Sequence, residues 1–322
     1  MRNMMTTVPA IKVRLDRLGR EKEGATTMST RRIESSASRT ADMTCGCRAI
    51  SYVESNPLYK SDDWVAPKLL PRMLQILIRI PIVCRFLIRL LTPEGIYEWV
   101  IARTKYIDEV FIHASAEGFS QVLLFGAGFD SRGVCFQSEL KDAKVFELDA
   151  PTTQIMKIGQ YRKRGIEVPS NLTFVPINFE KESVAERLKE AGFIKGKKTL
   201  VILEGVLQYL KPEAAYATLD TIRNQVGPGS WLAFDYAHAS VLRGEGNLYG
   251  ETGIMKGVNK YGESWQFGLE EADVESILCK YGFKLLDRKG PEELEEVYFK
   301  DVNGIVKARV NGTQSIVKAE RQ

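Results

Sequence analysis

The sequence predicts an α/β protein built on a doubly wound, mostly parallel sheet. Two observations carry that expectation. Five short apolar runs recur, QVLLFG at 121, KVFELD at 144, LTFVPIN at 172, TLVILEGV at 199 and SWLAFDYA at 230, and helix-compatible stretches separate them. Strands alternating with helices imply βαβ units, and right-handed crossovers put the carboxyl ends of all the strands on one rim, where ligands bind. A third observation concerns that rim. Gly126 to Asp130, then Glu147 and Asp149, Asn178, Glu204 and the stretch from Asp235 to His238 all fall at strand ends, so residues distant in sequence converge on one crevice.

The bulk composition fits this class. With 322 residues, 44% hydrophobic and 27% charged, the chain can bury a sizeable core as one large domain or one domain with an appendage. A formal net charge of +4 is too small to argue for nucleic acid, which calls for a clustered basic stripe, and small acidic ligands stay compatible. The five cysteines, Cys45, Cys47, Cys84, Cys135 and Cys279, are odd in number and scattered, so a reducing, cytoplasmic setting is expected. Cys45 and Cys47 in TCGC have no second Cys/His pair at zinc spacing, and no metal site is expected.

Residues 1–38 are rich in Arg, Lys, Ser, Thr and Glu without helical periodicity. They read as a poorly ordered extension and lack the apolar core of an export signal, which leaves 39–322 as a single domain. The segment from Pro71 to Leu91, PRMLQILIRIPIVCRFLIRLL, is apolar enough to suggest a membrane span, but Arg79, Arg85, Arg89 and Pro81 interrupt it. Each arginine costs about 2.5–3.5 kcal/mol at the centre of a spanning helix. Two short amphipathic helices, packed on the core or lining a substrate pocket, fit better; a helix lying on a membrane surface is the alternative. From Thr92 to Gly118 the chain reads as one long helix, with Thr92 as N-cap, Pro93 in its first turn and Gly118 closing it.

The loop after the first strand, GAGFDSR at 126, raises the question of its ligand. Gly126, Ala127 and Gly128 allow a sharp turn and close backbone approach, as in the first crossing of Rossmann-type folds. The dinucleotide fingerprint wants a third small residue, and this chain offers Ser131 followed by bulky Arg132. Asp149 lies 21 residues after Gly128, the expected step from a glycine loop to a carboxylate that holds ribose hydroxyls. Glu147 stands beside it as a second carboxylate.

Six motifs in fixed order then point to one family. ARTKYID at 102, VLLFGAGFDSR at 122, FELDAP at 146, NLTFVPINFE at 171, TLVILEGVLQYL at 199 and PGSWLAFDY at 228 resemble the leucine carboxyl methyltransferase family, including its bacterial branch of polyketide-type O-methyltransferases. The resemblance covers about residues 40 to 320. It implies a Rossmann-like methyltransferase fold and S-adenosylmethionine as cofactor, a molecule with no pyrophosphate and so no need of the full dinucleotide loop. It also implies site residues. Arg103 would pair with the methionine carboxylate, Gly126 and Gly128 with neighbouring Ala127 and Asp130 would line the methionine portion, and Asp149 would hold the ribose with Glu147 nearby. Asn178 and Phe179 stand where the family places an acidic residue and an apolar neighbour beside adenine, so Asn178 is a departure; Glu204 stands where the family uses a glutamate near the cofactor.

Methyl transfer from a sulfonium mainly requires alignment, and a carboxylate acceptor, ionised at neutral pH, needs no general base. For a phenol or alcohol acceptor His238, Tyr209 and Tyr236 are the candidate bases; His113 reads as an ordinary helix-face residue. A helical cap over about 51–117 and a glycine-rich insertion over about 239–265 are expected to frame a small, aromatic or polyketide-like acceptor bearing a carboxylate or hydroxyl. A protein C-terminal carboxyl methyltransferase, an NAD-linked oxidoreductase and a non-catalytic cofactor-binding module are the competing readings. Acceptor identity and oligomeric state are not encoded in any motif.

Overall fold

The computed structural model describes residues 39–322 apart from 141–142, 180 and 262–263; the extension expected over 1–38 lies outside the described residues. Each of the five apolar runs is a strand: β1 (Gln121–Phe125), β2 (Lys144–Asp149), β3 (Leu172–Pro176), β4 (Thr199–Leu203) and β5 (Trp231–His238). All five pair in parallel, in the order β3-β2-β1-β4-β5. The order reverses between β1 and β4, the point at which sheets of this kind bind ligands beyond the strand ends.

Three further strands complete the sheet: β6 (Gly268–Leu269), β7 (Phe283–Lys289) and β8 (Gln314–Arg321). Strand β8 runs antiparallel between β5 and β7, while β6 adds two residues beside the end of β5. An antiparallel strand in that position separates this sheet from the order 3-2-1-4-5-6 typical of dinucleotide enzymes. The sequence reading had not marked β7 or β8. In FKLLDRK two leucines are adjacent and the register shifts between Leu285 and Asp287, so the alternation that betrays a strand is broken there.

Alternate residues of the strands feed two cores. Val122 and Leu124 pack with the helices Arg39–Val53, Ile96–Ala116 and Pro151–Arg164; Leu123 and Phe125 pack with Val184–Glu190, Pro212–Gln225 and Val274–Lys280. Prolines set the first turns of two crossover helices, at Pro151 and Pro212, where the missing N–H costs nothing. The long helix is shorter than expected at its start. Thr92 instead closes the preceding helix, Pro81–Leu91, its hydroxyl donating to the Ile88 carbonyl at 2.7 Å, and the long helix begins at Ile96 after Gly95, whose φ is +71°. A side chain at Gly95 would meet the backbone of Asn311 at 2.5 Å, so the turn between the two helices requires glycine.

The segment that suggested a membrane span is broken into Arg72–Leu77 and Pro81–Leu91. No helix among the described residues is long and apolar enough to cross a membrane. Cys45 and Cys47 are buried in the Arg39–Val53 helix, and burial pushes both thiols up to about 12.

Two glycines are expected to respond oppositely to a methyl group. At Gly227 a Cβ would stand 2.1 Å from the Gly196 carbonyl oxygen, so Gly227→Ala should destabilise by about 1–3 kcal/mol. Gly159 lies in the Pro151–Arg164 helix with nothing within 4 Å of such an atom, and Gly159→Ala should stabilise by about 0.5–1 kcal/mol. Urea unfolding of the two variants checks both.

Candidate active site

The glycine loop turns at the end of β1 through two left-handed residues, Gly126 at φ +69° and Gly128 at φ +50°. A Cβ on Gly126 would come within 2.7 Å of Val206. The Ala127 N–H donates to the Leu148 carbonyl at 2.9 Å and the Asp130 N–H to the Ala127 carbonyl at 2.7 Å, which curls the loop over the end of β2. Asp149, last residue of β2, accepts from the Gly128 N–H with one oxygen and from the Ala150 N–H at 2.6 Å with the other. A carboxylate has about four acceptor positions, so capacity remains for a ribose diol. Burial raises the Asp149 pKa, and the two backbone donors oppose that rise.

Beside the loop lies a buried ionic network. Arg103, from the long helix, donates to Asp235 at 2.8 Å and pairs with Glu204 at 3.0 Å. Glu204 reaches on to Arg132 at 2.7 Å, and Arg132 also pairs with Asp130 and with Asp108, each at 2.6 Å. The sequence reading treated Arg132 only as an obstacle to a dinucleotide fingerprint; it is the hub of the network. Asp235 further accepts from the Gly205 N–H at 2.6 Å. A second ion pair, Arg48–Asp63 at 2.9 Å, ties the Arg39–Val53 helix to the loop, because Arg48 also donates to the Phe129 carbonyl at 2.7 Å.

These partners set the charge states. Burial pushes the Glu204 carboxyl up, but the Arg132, Arg103 and Arg48 guanidiniums outweigh it and hold the group at about 2. Asp108 responds the other way: burial dominates the pull of Arg132 and lifts it to about 7. Arg103 Nε and Arg132 Nη2 are buried without a hydrogen-bond partner. Both donors are available to an anionic group.

The other expected residues divide. Asn178 stands beyond β3, its N–H donating to Glu182 at 2.7 Å, and its neighbour Phe179 is 43% exposed while leaning on Phe125 with ring centroids 5.1 Å apart. An exposed ring at this rim offers a face to a planar base. Glu147 is not a second ribose carboxylate in this geometry. It lies on the same face of β2 as Asp149 but two residues back from the rim, in the core, where it is taken up by fully buried Lys157 at 2.6 Å, and burial lifts it to about 7 against the pull of that lysine.

The pleat separates the candidate bases. Asp235 and its neighbours Ala233 and Ala237 share the face that carries Arg103, whereas Tyr236 belongs to the opposite core with Phe234. His238 shares the parity of Tyr236 and bonds Ser315 of β8 at 2.8 Å. Burial lowers the His238 pKa. His113 is exposed on the long helix. Of the three candidates only Tyr209 packs on the Arg103 side of the sheet, and its hydroxyl lies 3.4 Å from Thr40.

Residues 89–223 match the family model described as leucine carboxyl methyltransferase. Over that stretch the chain is similar to the leucine carboxyl methyltransferase family. YktD of Bacillus subtilis (strain 168), named as a candidate S-adenosyl-L-methionine-dependent methyltransferase, is 28% identical over 218 residues, 64% of this chain and 71% of YktD. Rv3767c of Mycobacterium tuberculosis (strain H37Rv), named for the same activity, is 32% identical over 150 residues, 46% of this chain and 47% of the relative, so the chain matches about half the length of that protein. Among solved structures, a duf574 family protein from Streptomyces avermitilis has the same fold, with a TM-score of 0.56 at 13% identity over 90% of this chain and 99% of its own. The match to that model and the similarity to these relatives together identify the chain as an S-adenosylmethionine-dependent methyltransferase.

The residues present fit that cofactor. A guanidinium with a free buried donor suits a carboxylate, the glycine loop leaves room for backbone approach, and Asp149 retains acceptor capacity for two hydroxyls. The methyltransferase network should also be visible in its acid stability. Since the Glu204 pKa is lowered on folding, its stabilisation is complete above the unfolded value near 4.5 and disappears as pH falls through about 2. Glu204→Gln should therefore cost about 3 kcal/mol at neutral pH, with the gap to the parent protein closing as pH drops from about 5 to about 2. Thermal melts across that range provide the check.

Proposed function

We propose that this methyltransferase transfers its methyl group to the carboxylate of a small aromatic or polyketide-like acceptor. One observation carries the reading: the chain has two histidines, and neither reaches the glycine-loop face of the sheet. Tyr236 is fully buried in the opposite core, and burial raises its pKa, so it too is a poor base. An acceptor that arrives already ionised needs none.

In this reading Arg103 takes the methionine carboxylate through its free donor and Asp149 takes the ribose hydroxyls. Phe179 stacks on the adenine, and Gly126 to Gly128 line the chain between. When bound, the cofactor would supply an electrophilic methyl on a positively charged sulfur, its carbon–sulfur bond giving way to the new carbon–oxygen bond while the sulfonium and carboxylate charges cancel. What the protein contributes is alignment, and positioning of this kind can supply about 7–11 kcal/mol. Tyr209, packed on the same side of the sheet as Arg103, orients the acceptor.

Asp149→Ala should weaken adenosylhomocysteine binding by about 1.5–3 kcal/mol in calorimetry, as loss of a charge-assisted hydrogen bond requires. Arg103→Lys should weaken it as well, because an ammonium cannot reproduce the guanidinium fork. Unchanged affinity in either variant removes that residue from the site.

The acceptor class has its own test. With methyl-labelled cofactor and paired panels of aromatic carboxylic acids and phenols, the product should be an ester whose label is released as methanol by mild alkali. His238→Ala should keep kcat/KM within about twofold, since no base is lost. Alkali-stable label, the mark of an ether, would overturn the carboxylate assignment.

A further inference from the structure

The two helices that broke the apparent membrane span carry an apolar surface that the core does not use. Ile76, Ile82, Phe86 and Leu90 are each 65% to 78% exposed, and Met73 and Ile80 join them. Ile82, Phe86 and Leu90 follow at intervals of four along the Pro81–Leu91 helix, which lines them up on one face. Apolar exposure concentrated on one element marks a docking surface.

The charge around it selects the occupant. From Trp64 to Pro93 there is no acidic residue, while Lys68, Arg72, Arg79, Arg85 and Arg89 are spread along the segment. Among the described residues no carboxylate pairs with Arg72 or Arg79, both of which are exposed. A partner protein would need its own acidic, apolar groove; an anionic bilayer presents both properties everywhere on its surface.

A cleft continues the same surface. Its volume is about 510 Å³, and it is lined by Leu69, Leu70, Arg72, Gln160, Lys163 and Arg164, with Pro71 between. Arg164 donates to the Leu70 carbonyl at 3.1 Å, but its Nε is buried without a partner, and so is the Gln160 side-chain oxygen. An amide flip at Gln160 would turn its N–H₂ toward the same space. Three cations and two unsatisfied polar groups then converge on a pocket that opens where the apolar helices begin.

We propose that residues 66–91 dock the protein on an anionic lipid surface, with the exposed apolar stripe entering the headgroup layer and the Arg72–Lys163–Arg164 cleft taking a lipid phosphate. Arg72 belongs to both parts, so the two contacts are made together. Nothing in this inference depends on which acceptor the methyltransferase uses.

Vesicle sedimentation with the full chain tests it. The protein should pellet with phosphatidylcholine vesicles that contain phosphatidylglycerol and stay largely in solution with phosphatidylcholine alone, and high salt should release it. Ile82→Asp with Phe86→Asp, and separately Arg72→Glu with Lys163→Glu, should each lower the partition coefficient by on the order of tenfold or more. These side chains are exposed, and thermal melts matching the parent confirm that the variants fold. Equal sedimentation with both vesicle types would overturn the proposal, as would variants that bind like the parent, which would move the attraction to another basic segment. So would a self-associating protein whose dimer is lost with Phe86→Asp while vesicles are ignored, since the stripe would then be a contact between copies.

Discussion

The buried ionic network at the carboxyl ends of β1, β4 and β5 is the constraint around which the rest of the molecule is arranged. Two guanidiniums, Arg103 and Arg132, meet four carboxylates, Asp108, Asp130, Glu204 and Asp235, with little exposure to water. Charges removed from water are tolerated only with close, well-oriented partners, and here the partners come from the long helix, the glycine loop and two strands. Misplacing any one of these elements would strand a charge in the interior. With all groups ionised the carboxylates exceed the guanidiniums by two, and burial of Asp108 relieves part of that excess near neutrality. A site of this sign favours a ligand that carries a sulfonium.

Much of the parallel sheet was legible because its strands are continuous apolar runs bounded by turns. Asp149 was legible because a glycine loop and a strand end fix its position through the crossover. Arg132 was not: an arginine in a loop reads as exposed by default, and of its three carboxylate neighbours Asp108 and Glu204 come from segments that sequence cannot bring together. Tyr236 and His238 show a second limit. Sequence places both at the end of β5, but the face each one takes depends on the pleat, and one step of parity separates the Arg103 side from the opposite core; Glu147 is lost to the site for another reason, its pairing with buried Lys157. Strands β7 and β8 were missed for a third reason, since a bulge and mixed composition hide the alternation.

The Pro151–Arg164 helix links the site to the basic cleft. It starts two residues after Asp149 and ends at Arg164 in the cleft wall, 14 residues in all, a span of about 21 Å at 1.5 Å per residue. Lys157, midway along it, is anchored to Glu147 in the core. The ribose carboxylate and the cleft therefore sit at opposite ends of one pinned rod, and neither can shift along that axis without disturbing the buried pair.

Strand β8 has a consequence for how the sheet comes into being. It lies between β5 and β7, yet both of those strands precede it in the chain. Until residues 314–321 have been synthesised, β7 has no neighbour, and β5 keeps most of one edge open. The last strand to be made must enter a gap between two older ones, a long-range pairing of the kind that forms slowly. Through that interval the unpaired backbone of β5 is a template for any extended chain nearby, so crowding during synthesis is the circumstance in which this fold is most exposed to error.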